Sequence, residues 1–129
     1  MKINFREVVA PLMFALFAQA ALTSTVASAA PVFESKSFYR LTTEWQGDGK
    51  SLDIVNGGKN DQPILAKTED VSGQLWKITP VSGGFYRLTT QWQGDGKSLD
   101  IVNDGQNSQP ILAKTDAVTG QSWKITKTK

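Results

Sequence analysis

Residues 38–79 read FYRLTTEWQGDGKSLDIVNGGKNDQPILAKTEDVSGQLWKIT, and residues 85–126 read FYRLTTQWQGDGKSLDIVNDGQNSQPILAKTDAVTGQSWKIT. The two stretches are nearly identical, and Trp45 recurs as Trp92, an offset of 47 residues (92 minus 45). A period of about 40–50 residues is typical of repeat architectures, in which one supersecondary unit cannot bury its apolar face alone. The duplication therefore predicts that each repeat packs against another repeat.

The pattern within one repeat indicates four short strands. These candidate strands, rich in β-branched and aromatic side chains, are residues 38–43, 51–55, 63–67 and 74–79. Turn chemistry separates them, as in Asn56-Gly57-Gly58, because Asn and Gly tolerate a positive φ. Alternation along the fourth strand places Trp76 and Ile78 on one face. Four strands in about 45 residues, present twice and without a helical period, predict an all-β barrel or sandwich.

The first 30 residues have the pattern of a secretory signal peptide. Basic Lys2 and Arg6 precede a mostly apolar stretch over residues 8–26, and Ala27-Ser28-Ala29 fits a small-residue cleavage site. Polar residues interrupt the apolar stretch before it reaches the ~20 residues that a membrane span needs. We therefore predict cleavage near Ala29/Ala30 and a secreted or periplasmic mature chain.

Composition restricts the function of the remaining domain, residues 31–129. The whole chain has a formal net charge of +2, no Cys and no His. No basic block stands out, so neither a nucleic-acid partner nor an anionic membrane is indicated. The missing residue types exclude thiol nucleophiles, imidazole bases and the usual zinc ligands. We predict no enzymatic activity, no catalytic residue, no cofactor and no metal site.

Two runs in each repeat carry a family resemblance. Gly49-Lys50-Ser51-Leu52-Asp53-Ile54 followed by Ser72-Gly73-Gln74-Leu75-Trp76 resembles the ricin B-type lectin repeat, and the second copy has both runs. The resemblance implies a β-trefoil, which that family builds from three repeats about a pseudo-threefold axis. It implies a ricin B-like lectin domain over residues 31–129, with repeat one at 38–79 and repeat two at 85–126. It also implies a core role for the Gln-x-Trp tryptophan and carbohydrate binding as the function.

The chain departs from that family at several positions. Ser51 and Thr68, like their counterparts in repeat two, stand where family repeats often carry the cysteines of a disulfide. The stacking aromatic of the family's third strand falls at Ala66 and Ala113. Its two polar partners fall, in repeat one, at Ile64 and Gly73. The acidic hydroxyl acceptor alone is kept, so the standard galactose pocket is not reproduced.

The candidate carbohydrate-binding residues are Asp53, Asp100, Trp45, Trp92, Asn60, Asn107, Gln74 and Gln121. The aspartates are either acceptors for sugar hydroxyls or members of a solvated strand face opposite Leu52 and Ile54. The two loop tryptophans either stack on a sugar or pack in the core with Leu41. The asparagines are equally typical of turns.

Two repeats are fewer than the three that a trefoil needs. A barrel built from two has open strand edges and part of its core facing water, which costs about 1.5–3 kcal/mol per exposed core side chain. We therefore expect a homo-oligomer: three chains of two repeats complete two trefoils if Ser82-Gly83-Gly84 acts as a hinge. The predicted function is a secreted, non-catalytic lectin for a galactose-type or other glycan. The alternative is a protein-binding or inhibitory β-trefoil that acts through its loops.

Overall fold

The computed structural model describes residues 32–55, 57–102 and 105–128, so the predicted signal peptide lies outside the described part. The strands are β1 (Lys50–Ile54), β2 (Pro63–Lys67), β3 (Trp76–Val81), β4 (Phe85–Thr90), β5 (Lys97–Ile101) and β6 (Pro110–Lys114). They pair as three antiparallel two-stranded sheets, β1–β2, β3–β4 and β5–β6. The described residues contain no α-helix, and none of their helical turns is long and apolar enough to cross a membrane.

The hairpins β1–β2 and β5–β6 are copies of each other. Leu52 lies opposite Leu65 in the first, and Leu99 lies opposite Leu112 in the second. Their strands match the predicted second and third strands of each repeat to within one residue. The shared register follows from the shared sequence, because the alternation of side chains fixes which residues can face the core.

The sheet β3–β4 joins the two repeats. Its six paired positions run from Trp76 opposite Thr90 to Val81 opposite Phe85. Gly83 and Gly84, between the strands, have φ of 77° and 80°, a region that side chains disfavour. The proposed hinge is therefore a tight hairpin turn, and opening it requires the separation of a six-residue ladder.

The outermost strands of the two repeats are reduced to single bridges. Tyr39 pairs with Trp76 and Tyr86 pairs with Trp123, but residues 38–43 and 121–126 form no longer ladder. Their counterparts in the other repeat, residues 85–90 and 74–79, contribute to the full β3–β4 ladder where repeat one meets repeat two. The predicted first and eighth strands are short because neither has a repeat beside it on its outer edge.

The fully buried core is the contact between the repeats. Its apolar members are Ile54, Trp76 and Ile78 from repeat one, and Leu88, Leu99 and Leu112 from repeat two. Trp76 is 0% exposed, and its indole Nε1–H donates to the Leu52 carbonyl (2.9 Å). The prediction that Trp76 and Ile78 share a buried face is confirmed.

Ser51 and Thr68 are hydrogen-bonded where the resembling family places a disulfide. Their hydroxyl oxygens are 2.6 Å apart, and Thr68 Oγ1 donates to the Asp48 carbonyl (2.6 Å). Thr68 has one hydroxyl hydrogen, so Ser51 is the donor to Thr68. Ser98 and Thr115 repeat the arrangement at 2.6 Å. The pair ties β1 to the segment after β2 without a covalent link.

Replacement of Ser51 and Thr68 together by Cys is expected to give a disulfide that stabilises the domain by about 3 kcal/mol, because it closes a loop of about 18 residues in the unfolded chain. Denaturant unfolding with and without reductant measures the gain, and mass spectrometry establishes oxidation. A folded double variant that stays reduced under oxidising conditions contradicts the expected proximity.

Candidate functional site

The glutamine of the Gln-x-Trp motif lies buried at the centre of each repeat. Gln74 Oε1 accepts from the Glu69 amide (2.9 Å), and Nε2 donates to the Lys67 carbonyl (2.7 Å) and to Asp53 Oδ2 (3.1 Å). Gln121 makes the three equivalent bonds in repeat two. Both amide hydrogens of Gln74 are used within the protein, so this side chain holds Asp53 in place and has no spare donor for a ligand.

The two aspartates are buried, so of their two interpretations the solvated strand face is wrong. Asp53 is 5% exposed and Asp100 is 8% exposed. The reason is that β1 packs against the turn Ser72–Gln74, with Gly73 directly beside the Asp53 carboxylate. Oδ2 accepts from Gln74, whereas within the described part of the chain no donor reaches Oδ1. One carboxylate oxygen therefore remains available to accept a hydrogen bond from a ligand.

A pocket of about 390 Å³ opens at Asp53, and both repeats contribute to it. Val71 and Gly73 line it from repeat one, and Trp92 lines it from repeat two. The Trp92 amide donates to the Ser72 carbonyl (3.3 Å), which fixes the tryptophan loop against the turn beside Asp53. The pocket, within the size range of small-ligand sites, thus combines a carboxylate acceptor with an aromatic side chain.

The equivalent pocket of repeat two lacks the aromatic wall. It measures about 570 Å³ and is lined by Asp100, Asn107, Val118 and Gly120, among others. None of its described lining residues is aromatic. The difference follows from the chain order, because the wall of each pocket is supplied by the repeat that comes next.

The tryptophans of the two Gln-Gly-Asp-Gly loops have opposite environments. Trp92 is half-buried against the core, whereas Trp45 is 89% exposed. The core-packing interpretation is therefore wrong for Trp45. The alternation of side chains along the strand does not determine whether Trp45 is buried, because Trp45 packs only against a repeat that precedes its own.

Only one of the two asparagine candidates lines the pocket of its repeat. Asn107 lines the Asp100 pocket, but Asn60 does not line the Asp53 pocket. Both have a left-handed backbone, with φ of 60° for Asn60 and 55° for Asn107, so each also serves as a turn residue. The Asn60 carbonyl accepts from Gln93 Nε2 (3.3 Å), which places Asn60 at the contact between repeats.

The Asp53 pocket has an acidic lining. Glu69 lines it together with Asp53, and no Lys or Arg is among its described lining residues. A lining with acidic residues and no Lys or Arg favours hydroxyl or ammonium donors over anions. A cation that contacts a lining residue is Arg40, which donates to the Glu69 backbone carbonyl (3.2 Å).

Gly73→Ala is expected to destabilise the domain by about 1–3 kcal/mol, because an added Cβ collides with the Ile54 carbonyl oxygen and with Asp53 Oδ1. Gly49→Ala is the matched control, since a Cβ there meets nothing within 4 Å. Denaturant unfolding of both variants compares them. Equal stability of the two would mean that Gly73 does not support the carboxylate as described.

Sequence reasoning missed the way in which Trp92 and Asp53 come together. Both residues are candidates from the sequence, but the sequence does not predict that they line one cavity. The sequence does carry a signal: the third-strand aromatic is missing at Ala66, and a loop tryptophan is a candidate to stack on a sugar in its place. Only the packing of one repeat on the other shows that the tryptophan of repeat two reaches the aspartate of repeat one.

The chain matches no protein-family model and no curated protein. A designed 3-fold symmetric protein, ThreeFoil, superposes on it with a TM-score of 0.53 and 21% identity, covering 70% of this chain and 71% of that one. A mosquitocidal holotoxin superposes with a TM-score of 0.62 and 22% identity, covering 76% of this chain and 12% of the toxin chain. These likenesses show the fold: the predicted all-β, β-trefoil class is confirmed. The chain therefore corresponds to a small part of the toxin.

Proposed function

We propose that this protein is an exported, non-catalytic carbohydrate-binding module of the ricin B-type lectin family. The observation that carries the proposal is the Asp53 pocket, where the buried acid Asp53 and the aromatic residue Trp92 line one cavity. Sugars present hydroxyl donors and apolar C–H faces, so a sugar site needs both kinds of contact. The twofold occurrence of the Gln-x-Trp pattern supports the family assignment.

The fixed position of the Asp53 carboxylate supports a role in ligand binding rather than a purely structural role. Gln74 fixes Asp53 Oδ2, and Gly73 lets the carboxylate lie close against the turn. A buried carboxylate that keeps an unused acceptor is costly unless a ligand or water satisfies it. A hydroxyl donor entering from the pocket would meet this need.

The preferred ligands are neutral glycans. Because Asp53 and Glu69 line the pocket and no Lys or Arg is among its described lining residues, we expect neutral glycans to bind better than sialylated and sulfated ones. Galactose-terminated glycans are the first class to examine, and other neutral sugars are the second. Export rests on the pattern of residues 1–30, and N-terminal sequencing of the chain recovered outside the cytoplasm tests cleavage near Ala29/Ala30.

The experiment is a broad glycan-array screen of the full chain and of Asp53→Asn, Asp100→Asn and the double variant. Wild type is expected to bind a coherent group of neutral glycans. Asn keeps an oxygen for the glutamine bond but removes the charge, so the double variant should bind about ten- to a hundredfold more weakly. Asp70→Asn is the control, since this exposed carboxylate lies outside the pocket lining.

Two results contradict the proposal. One is a folded wild-type chain that binds no glycan group; the other is a double variant that binds as tightly as wild type. If a folded protein competes for the same surface and free sugar does not, the alternative of a protein-binding or inhibitory trefoil replaces the lectin.

A further inference from the structure

Each repeat has two apolar faces that fit each other. We call the leucine positions of the first three strands, Leu88, Leu99 and Leu112 in repeat two, the front face. We call Ile54, Trp76 and Ile78 of repeat one, and their counterparts, the rear face. The buried core consists of the rear face of repeat one and the front face of repeat two. Four residues of the other two faces, Leu41, Leu52, Trp123 and Ile125, pack against this core but stay partly exposed.

The other copy of each face is left without this partner. The front face of repeat one, Leu41, Leu52 and Leu65, is only half-buried, although its counterparts are fully buried. The rear face of repeat two, Ile101, Trp123 and Ile125, is likewise half-buried. The equivalent side chains thus differ in burial where one contact between repeats is made within the chain and its counterpart is not. The chain carries both halves of a contact whose fit it already demonstrates.

The exposed Trp45 loop is already in the conformation that its buried counterpart has. The Gln46 amide donates to Thr43 Oγ1 (3.1 Å), and the Gln93 amide donates to Thr90 Oγ1 at the same distance. Trp45 therefore needs no ordering of its loop before it can pack against a neighbouring repeat. An 89% exposed tryptophan on a preformed loop is a candidate interface anchor.

We propose that Trp45 of a second copy of this chain completes the Asp100 pocket, as Trp92 completes the Asp53 pocket within one chain. The rear face of repeat two then receives the front face of repeat one from the second copy. By equivalence with the bonds of Trp92 and Gln91 inside the chain, the Trp45 amide donates to the Thr119 carbonyl and the Glu44 amide to the Ser122 carbonyl of the neighbouring copy. The contact between chains is inferred from the fold. Only the identity of the pocket's ligand, a sugar, rests on the proposed function.

Three-fold symmetry determines how such contacts close. Two repeats leave a gap for one more in a three-fold trefoil, so a second chain inserts a single repeat. Three chains supply six repeats and close two trefoils. Trp45 of a neighbouring chain then completes two of the three Asp100 pockets, and Trp92 of the shared chain completes the third. In the chain that the two trefoils share, β3 and β4 separate from each other. Each then pairs with the equivalent strand of a neighbouring chain, so the backbone hydrogen bonds lost within the chain are formed again between chains.

Single-cysteine chains test the contact directly, since the natural chain has no Cys. Glu44→Cys chains are mixed with Ser122→Cys chains under oxidising conditions, and covalent heterodimers are counted by mass spectrometry. We expect efficient cross-linking. A chain with Leu75→Cys and Gln91→Cys calibrates it, because their backbones are hydrogen-bonded at 2.9 Å within one chain. Ser82→Cys, in the exposed hairpin turn, is the mismatched partner for Glu44→Cys.

Trp45→Ala should raise the concentration for half-association by about tenfold or more, whereas Val32→Ala, also 89% exposed, should not. Sedimentation velocity measures both. The proposal is overturned if Glu44→Cys links no better to Ser122→Cys than to Ser82→Cys, or if the chain unfolds cooperatively at the mass of one chain. The cross-link needs no sugar, so a protein that cross-links as expected but binds no glycan refutes the proposed function and leaves this contact standing.

Discussion

Trp76→Ala is expected to destabilise the domain by about 3–5 kcal/mol, enough to unfold a small domain with a stability of about 5–15 kcal/mol under mild denaturant. Trp76 is fully buried at the contact between the repeats, and its bridge with Tyr39 is one of the few pairings of the first segment. Its removal opens a cavity in the core and leaves the Leu52 carbonyl without its donor. Denaturant unfolding followed by circular dichroism measures the loss.

A second variant separates the cost of the cavity from the cost of the lost hydrogen bond. Trp76→Phe keeps most of the apolar volume and loses the indole donor, so it should cost about 1–3 kcal/mol. Val32→Ala, at a highly exposed position, should be neutral. Equal costs for Trp76→Ala and Val32→Ala would contradict the placement of Trp76 in the core.

Gln74→Glu is expected to destabilise the domain by about 3–5 kcal/mol although it is nearly isosteric. The substitution replaces the Nε2 donor with an oxygen that faces Asp53 Oδ2 (3.1 Å) and the Lys67 carbonyl (2.7 Å). Two hydrogen bonds become repulsive contacts, and two buried carboxylates lie side by side. Thermal and denaturant unfolding at neutral pH measure the effect.

The exposed Gln62 provides the control, because Gln62→Glu makes the same chemical change outside the core. Its expected effect is within about 0.5 kcal/mol. Gln121→Glu should resemble Gln74→Glu, since Gln121 has the same three partners in repeat two. A stable, folded Gln74→Glu chain would show that the buried amide is not what holds Asp53.

The fold was predictable because its signals are local. Alternation of side chains and glycine turns fixed the hairpins β1–β2 and β5–β6 and the buried face of Trp76 and Ile78. The Ser51–Thr68 hydrogen bond lies where the resembling family has a disulfide, but the bond itself was not predicted. Prediction failed at the outer strands, because the extent of a strand depends on a neighbour that its own residues do not specify.

The site was less predictable because it forms between repeats. Trp45 and Trp92 stand in almost the same sequence, yet one is exposed and the other lines a pocket. The burial of Asp53 likewise depends on a turn 20 residues later along the chain, as the Gly73 position shows. Local patterning determines which residue types are present, whereas the packing of one repeat on the next determines which of them share a cavity.

The most direct test of the proposed site is a nitrogen–proton correlation NMR titration of the full chain with the glycan that binds best on the array. We expect the Trp92 indole and Gly73 amide signals to shift together with one dissociation constant, while the signal of the buried Trp76 indole stays in place. Asp53→Asn should remove these shifts. Saturable shifts confined to residues away from the Asp53 pocket, with Trp92 and Gly73 unmoved, would contradict the proposed site.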